Sequence, residues 1–194
     1  MSINDIANQL KAAGVWLRRI GHCRGFGIQS PSDYWLVRYV INEHWPYYQY
    51  ERLGRNDDWL TRKLGRLFFR IANWRQPAVI ESSAFRDYLQ AGCRKAVWGE
   101  SSELMVLSLE GDWRSRLSYI YNKVSADSVL VVTGLSKARD VWREIVNDER
   151  AVLTFDLYYC GIVLFDKKRD KKELYSKLLT NKAYENNKGL YPHG

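Results

Sequence analysis

Glu110 is followed by Gly111 and Asp112 at the end of an apolar run, Leu104 to Leu109. An acid in that place can serve as a general base, and it is equally well explained as a strand-end acid beside a helix N-terminus, where unpaired backbone N–H groups favour negative charge. Glu81 closes the run Ala78-Val-Ile and has the same double reading, a site acid or a cap for the following helix. Arg62, Arg66 and Arg70 recur every four residues, so a helix would place them on one face. They could contact phosphates or an acidic partner, or form a solvated stripe. Tyr47 and Tyr50, in Tyr47-Tyr-Gln-Tyr50, offer rings on which bases could stack. Metal chemistry has little material: His22 and His44 lack ligand spacing with each other or with Cys23, and His193 stands in a polar tail. The three cysteines, Cys23, Cys93 and Cys160, are too far apart for a Cys-x-x-Cys pair and odd in number, which predicts buried thiols. With no Gly-rich phosphate loop and no Gly-x-Ser-x-Gly elbow, hydrolase and nucleotide-triphosphatase readings lack support.

Elements able to position these residues follow from periodicity. Ser2-Ile-Asn-Asp5 reads as a cap, with apolar residues at helical spacing as far as Leu17 and an end near Gly21. Ser30-Pro31-Ser32-Asp33 opens a second helix running to about Asn42, which His44-Trp45-Pro46 breaks. A third runs from Trp59 to Trp74, with Asn56-Asp57-Asp58 suited to its N-terminus. After Pro77, short β-branched runs alternate with helical stretches, the grammar of an α/β sheet. Strands are expected at Ala78 to Glu81, Lys95 to Trp98, Leu104 to Leu109 and Ser128 to Thr133. Helices are expected at Phe85 to Ala91, Trp113 to Val124 and Lys137 to Val146. Val152 to Leu157 and Ile162 to Phe165 should form an antiparallel pair, and Lys171 to Leu179 a charged helix. Lys167, Lys168, Arg169, Lys171 and Lys172 alternate with Asp166, Asp170 and Glu173, as in a solvated turn.

The chain has 194 residues, of which 30 are Lys or Arg and 22 Asp or Glu, a net charge of +8. That length suits one domain, 1–75 as a helical extension packed on an α/β core of 76–194. Charge is uneven: residues 1–75 hold 12 basic and 6 acidic side chains, so the basic, aromatic part comes first. Trp16, Trp35 and Trp59 are expected to be buried where that part meets the sheet. No apolar run approaches the ~20 residues of a spanning helix, and the N-terminus has no basic-then-apolar signal pattern. A cytoplasmic location without membrane association is therefore expected.

The string Gly25-Phe-Gly-Ile-Gln-Ser-Pro-Ser-Asp-Tyr-Trp-Leu-Val37 resembles the Gly-His-Gly-Ile-His-Ser-Pro-Phe-x-Tyr-x-Leu opening of a bacterial group of class I S-adenosylmethionine-dependent methyltransferases. Tyr47 to Tyr50 is similar to the Tyr-Tyr-x-Phe/Tyr segment that follows there. Leu64 to Asn73, leading through Gln76-Pro77 into the first strand, resembles that group's last helix before the cofactor motif, and Leu153 to Phe165 its terminal strand pair. The resemblance implies a truncated Rossmann-like sheet, mostly parallel with a terminal antiparallel pair, preceded by helices.

Its site residues carry over less completely. The family's Glu-x-Gly-x-x-x-Gly turn falls on Glu81-Ser-Ser-Ala-Phe85, which keeps the acid and loses both glycines. Pro77 to Gly99 is too short for the expected strands and helices, so one strand and its crossover helix are missing. With them goes the acid that holds the cofactor ribose, for which Glu100 is a displaced substitute. Lys95 to Trp98 matches either the family's second strand or its third. Ser108-Leu-Glu110-Gly111 resembles the family's Phe-Ile-Asp-Gly, making Glu110 the catalytic candidate. The family's Asp-Asp pair falls on Thr133-Gly134, which leaves little to hold Mg²⁺, and its second histidine is Gln29. Candidate cofactor contacts are thus Glu81, Ser82, Ser83 and Glu100. Three functions follow. One is a methyltransferase-like protein with an eroded site, inactive and binding a protein partner, with no tightly held cofactor. Another is an active enzyme that holds S-adenosylmethionine in an altered way. The last is a basic nucleic-acid binder using Arg62, Arg66, Arg70, Tyr47 and Tyr50.

Overall fold

The computed structural model describes residues 30–43, 45–168 and 172–175. The expected first helix, Trp16, His22, Cys23, Gln29, His44 and His193 lie outside the described residues. Ser30 caps α1 (Pro31–Leu36) by accepting the Asp33 N–H at 3.4 Å, with Pro31 preset for the first turn. The helix then widens into a π segment, Val37–Ile41, in which the Asn42 N–H reaches the Val37 carbonyl at 2.9 Å. After a 3-10 turn at Tyr48–Glu51 comes α2 (Trp59–Arg75), capped by Asp58, which accepts from the Leu60 and Thr61 N–H groups. Leu64, Leu67, Phe68, Ile71 and Ala72 form the buried face of α2.

The α/β part alternates β1 (Val79–Glu81), α3 (Arg86–Gly92), β2 (Val97–Trp98), β3 (Leu104–Ser108), α4 (Trp113–Lys123), β4 (Val129–Thr133), α5 (Arg139–Asn147), β5 (Leu153–Asp156), β6 (Cys160–Leu164) and β7 (Lys172–Tyr175). These strands make one sheet in the order β2-β1-β3-β4-β6-β5-β7. Only β6 runs antiparallel to its neighbours, β4 and β5. The expected mostly parallel sheet with a closing antiparallel pair is therefore present, with the pair joined through Leu157, Tyr158 and Tyr159.

Strand alternation sends two sets of side chains to opposite faces. Ile80, Leu104, Val106, Val129 and Val131 pack with Leu36, Val40 and Ile41 and with Leu67, Phe68 and Ile71 of α2. Met105, Leu107, Leu130 and Val132 pack with Leu117 and Ile120 of α4 and with Trp142 and Ile145 of α5. None of the helices among the described residues is long and apolar enough to cross a membrane.

Two expectations are corrected. Residues 172–175 of the expected charged helix form β7, parallel to β5. All four residues of β5 are buried, and a buried strand cannot leave one edge of backbone groups unpaired, so the demand for a ladder partner overrides local helix preference. Leu174 adds apolar contact with the core. Trp35 is 47% exposed, lying on the outer side of α1 beside Tyr39, because Leu36 and Val37 take the inward positions. Trp59 is half-buried.

Candidate functional site

Open α/β sheets bind ligands beyond the carboxyl ends of their strands, so the site is built from that rim. Ser108 pairs with Thr133 and Thr133 with Cys160, which brings the ends of β3 and β4 level. The end of β1 is not level with them: Glu81 pairs with Met105, three positions below Ser108. At about 3.3 Å per residue this sets Glu81 about 10 Å below the rim. The strand stops short because Ser82 turns the chain, its Oγ donating to the Ala84 carbonyl at 2.7 Å and accepting the Ala84 N–H at 3.1 Å. Phe85 then enters α3 in the left-handed region (φ 56°), its ring 4.5 Å from that of Phe68. The turn expected to approach a cofactor is thus closed by its own hydroxyl, and the aromatic ring that follows it packs on the core.

Glu81 is engaged within the fold. Its Oε2 accepts from the Ser101 N–H at 3.0 Å and from Lys123 Nζ at 2.5 Å, with both charged side chains largely buried. Burial works against the Lys123 charge, yet its bonds to Glu81 and Tyr119 hold the ammonium above its ordinary pKa. Ser83 and Glu100 are exposed. Glu110 is exposed too, on a turn where its N–H meets Ser108 Oγ at 3.3 Å and Gly111 takes φ 73°. A general base gains from a desolvated, converging setting. Glu110 has none, and the neighbouring Asp112 caps α4 through the Ser115 N–H. Glu81, Ser82 and Ser83 are consecutive and Glu100 precedes the Ser101 that bonds Glu81, so these four are neighbours, whereas Glu110 stands on the turn after β3, beyond the level of Glu81.

The arginines of the stripe make contacts within the fold. The α2 face that carries it turns toward the preceding stretch 40–57, and each cation makes contacts there. Arg62 donates to the carbonyls of Gly54 and Asp57 at 3.0 and 2.8 Å. Arg66 lies over the Tyr50 ring at 4.9 Å. Arg70 is buried, its Nε on the Val40 carbonyl at 2.6 Å and its Nη2 on that of Ile41 at 3.0 Å, satisfying the end of the π segment. Tyr47, Tyr50 and Phe69 form an edge-to-face trio with centroids 4.9 to 5.3 Å apart. The Tyr47 hydroxyl donates to both Glu43 oxygens, at 2.9 and 2.8 Å. Burial first, then the Glu43 carboxylate, push its pKa up.

Periodicity missed the polar group that does sit at the rim. Asp156, at the end of β5 and fully buried, accepts from both Nη atoms of Arg139, that of Nη1 at 3.1 Å, and from the Tyr158 N–H at 2.8 Å. Tyr158 takes φ 74° to allow it. An acid closing the buried run Leu153-Thr-Phe-Asp156 is the signal that could have found the pair. Cys160 is buried beside it, and burial pushes its thiol far up, away from nucleophilic use. Among the described residues no group of three or more His, Cys, Asp or Glu could hold a metal ion. Comparisons with protein-family models, curated proteins and solved structures return no match for this chain.

Proposed function

We propose that this chain is a methyltransferase-like scaffold whose S-adenosylmethionine site has been lost, and that it acts as a binding or scaffold module for a protein partner. The scaffold side of this reading draws on the order of elements, helices first, then a mostly parallel sheet closed by an antiparallel hairpin. One strand with one short helix, β2 and α3, stands between β1 and β3, which fits a missing strand and crossover. Because β2 pairs directly with β1, it takes the place of a second strand.

The observation that carries the loss of the site is the state of Glu81: its carboxylate is engaged by Lys123 and the Ser101 amide, before a turn whose Phe85 packs on Phe68. A micromolar ligand needs about −8 kcal/mol. Losing a close backbone approach and a ribose-holding acid, at about 1 to 3 kcal/mol each, moves Kd toward millimolar. Calorimetry with S-adenosylmethionine and S-adenosylhomocysteine tests this. The expected outcome is no saturation in the micromolar range. Micromolar binding that disappears in Glu81→Gln would replace this reading with an active enzyme. Nucleic-acid binding through Arg62, Arg66, Arg70, Tyr47 and Tyr50 gains no support, since Arg62 and Arg70 donate to backbone carbonyls, Arg66 lies over Tyr50, and the Tyr47 and Tyr50 rings pack on Phe69.

A further inference from the structure

At the amino ends of the strands, on the side of the sheet away from the rim, a cavity of about 310 Å³ opens between α1, the end of α2 and the start of β4. Its place is fixed by Val129 and Leu164, which pair where β4 begins and the antiparallel β6 ends. Two indoles form walls: Trp35, half in solvent, and Trp74, partly buried. Large aromatics that border a hollow without filling it leave a π-face available to a ligand.

The charges at the cavity favour one sign. Asp127 and Asp166 both line it, and the Asp127 carboxylate has no ion pair among the described residues. The one cation among the described lining residues, Arg75, is held against the wall, its guanidinium 5.3 Å from the Trp74 centroid and donating to the Asp127 carbonyl. Asp127, Asp166 and the Trp35 indole therefore border the space together with Leu36, Val129 and Leu164, while Arg75 takes a face of Trp74. Both the indole and the carboxylates attract positive charge, and the apolar residues accept alkyl groups.

We infer that this cavity binds a small alkylammonium cation, either free or carried on a lysine side chain. Glu110 stands at the opposite end of the sheet and Glu81 does not line the cavity, so the inference stands apart from the fate of the S-adenosylmethionine site.

The test titrates the full chain, by calorimetry and by the indole signals in NMR, with three probes: choline, its uncharged isostere 3,3-dimethylbutan-1-ol, and Nα-acetyl-lysine methylamide. Saturable binding of choline or of the lysine derivative is expected, about 10-fold tighter than that of the uncharged isostere. Trp35→Ala and Asp127→Asn should each weaken it about 3- to 5-fold. Both positions are exposed, and an unchanged far-ultraviolet spectrum would show that the fold is kept. Whichever cation binds more tightly names the source. No saturation by either cation at about 10 mM, equal binding of the uncharged isostere, or unchanged binding in both variants would overturn the inference.

Discussion

β1 and β2 face each other at only two positions, Val79 with Val97 and Ile80 with Trp98, and Val97 is 60% exposed. In the other half, β3 pairs with β4 from Leu104–Val129 to Ser108–Thr133, and β6 continues against β4 from Cys160 to Leu164. There nearly every strand residue is buried on both faces. The long half is a continuous core. The short half is held by the helices above it: α3 sits on α2 so closely that the Gly92 Cα approaches the Phe69 carbonyl and Gly65 meets the Tyr88 ring. A switch in strand order normally makes a ligand crevice between β1 and its neighbour. Here the side of that crevice given by β1 is the shortest part of the ladder, and its acid is tied to Lys123. Scaffold and site can therefore diverge independently, because the residues of the long ladder are not those that would grip a cofactor.

The largest effect should come from the long half. Trp142 is fully buried and lies against Gly161, where an added Cβ would come within 2.3 Å of the indole. Trp142→Ala removes a large buried ring and should cost about 3 to 5 kcal/mol in urea unfolding. Gly161→Ala should cost about 1 to 3 kcal/mol by overpacking the same contact. In the double variant the Gly161→Ala cost should shrink, since the ring it would strike is gone. Additive losses would mean that the two residues do not meet.

Gly92→Ala probes the helix contact that supports the short half. The new methyl would fall 2.2 Å from the Phe69 carbonyl oxygen, which cannot move without shifting α2. A loss of about 2 kcal/mol is expected. Hydrogen exchange should locate it: the Val97 and Gly99 amides, which hold β2 to β1, should exchange faster, while the Val131 amide should follow only global unfolding. Equal acceleration at both places would show that the halves are one cooperative unit.

Most elements were legible because burial leaves a period in the sequence. Expected strands at Leu104 to Leu109 and Ser128 to Thr133 and the helix from Trp113 to Val124 differ from the observed ones by a residue at an end. What periodicity could not show was which helix face meets what. Arg62, Arg66 and Arg70 do share a side of α2, yet that side faces the preceding stretch 40–57. Glu81 was recognisable as a strand-end acid, but its level depends on register with Met105, a long-range property. Half of the segment 172–175 is charged, and only the open edge of β5 makes it a strand. Asp156 and Arg139 stand 17 positions apart, so no local spacing joined them.

A smaller effect belongs to Glu81. Glu81→Ala leaves the Lys123 ammonium largely buried and the Ser101 N–H without its acceptor, at a cost of about 2 kcal/mol. Glu81→Ala combined with Lys123→Met should recover most of that loss, because the stranded charge is removed as well. If Glu81→Ala were neutral in stability, the acid would not be part of the fold, and its availability to a ligand would have to be reconsidered.

The smallest effect should fall on both halves alike. Asp58 caps α2, which covers one face of the sheet, and accepts from the Leu60 N–H at 2.8 Å, the Thr61 N–H at 3.1 Å and the Thr61 hydroxyl at 2.5 Å. The Thr61 hydroxyl bond contributes most to lowering its pKa, with burial opposing and the two backbone bonds assisting. Asp58→Ala should cost about 1 kcal/mol at pH 7. A carboxyl whose folded pKa lies below its unfolded value of about 3.9 stabilises fully above that value, and loses the contribution as pH falls through the folded pKa. The stability difference between wild type and Asp58→Ala should therefore be constant from pH 7 down to about pH 5 and shrink below about pH 4. Because α2 unfolds with the whole sheet, the Val97 and Val131 amides should lose protection by the same factor in this variant, unlike in Gly92→Ala. A difference that persists unchanged into acid would assign the cap's contribution to helix geometry alone and remove the carboxylate from it.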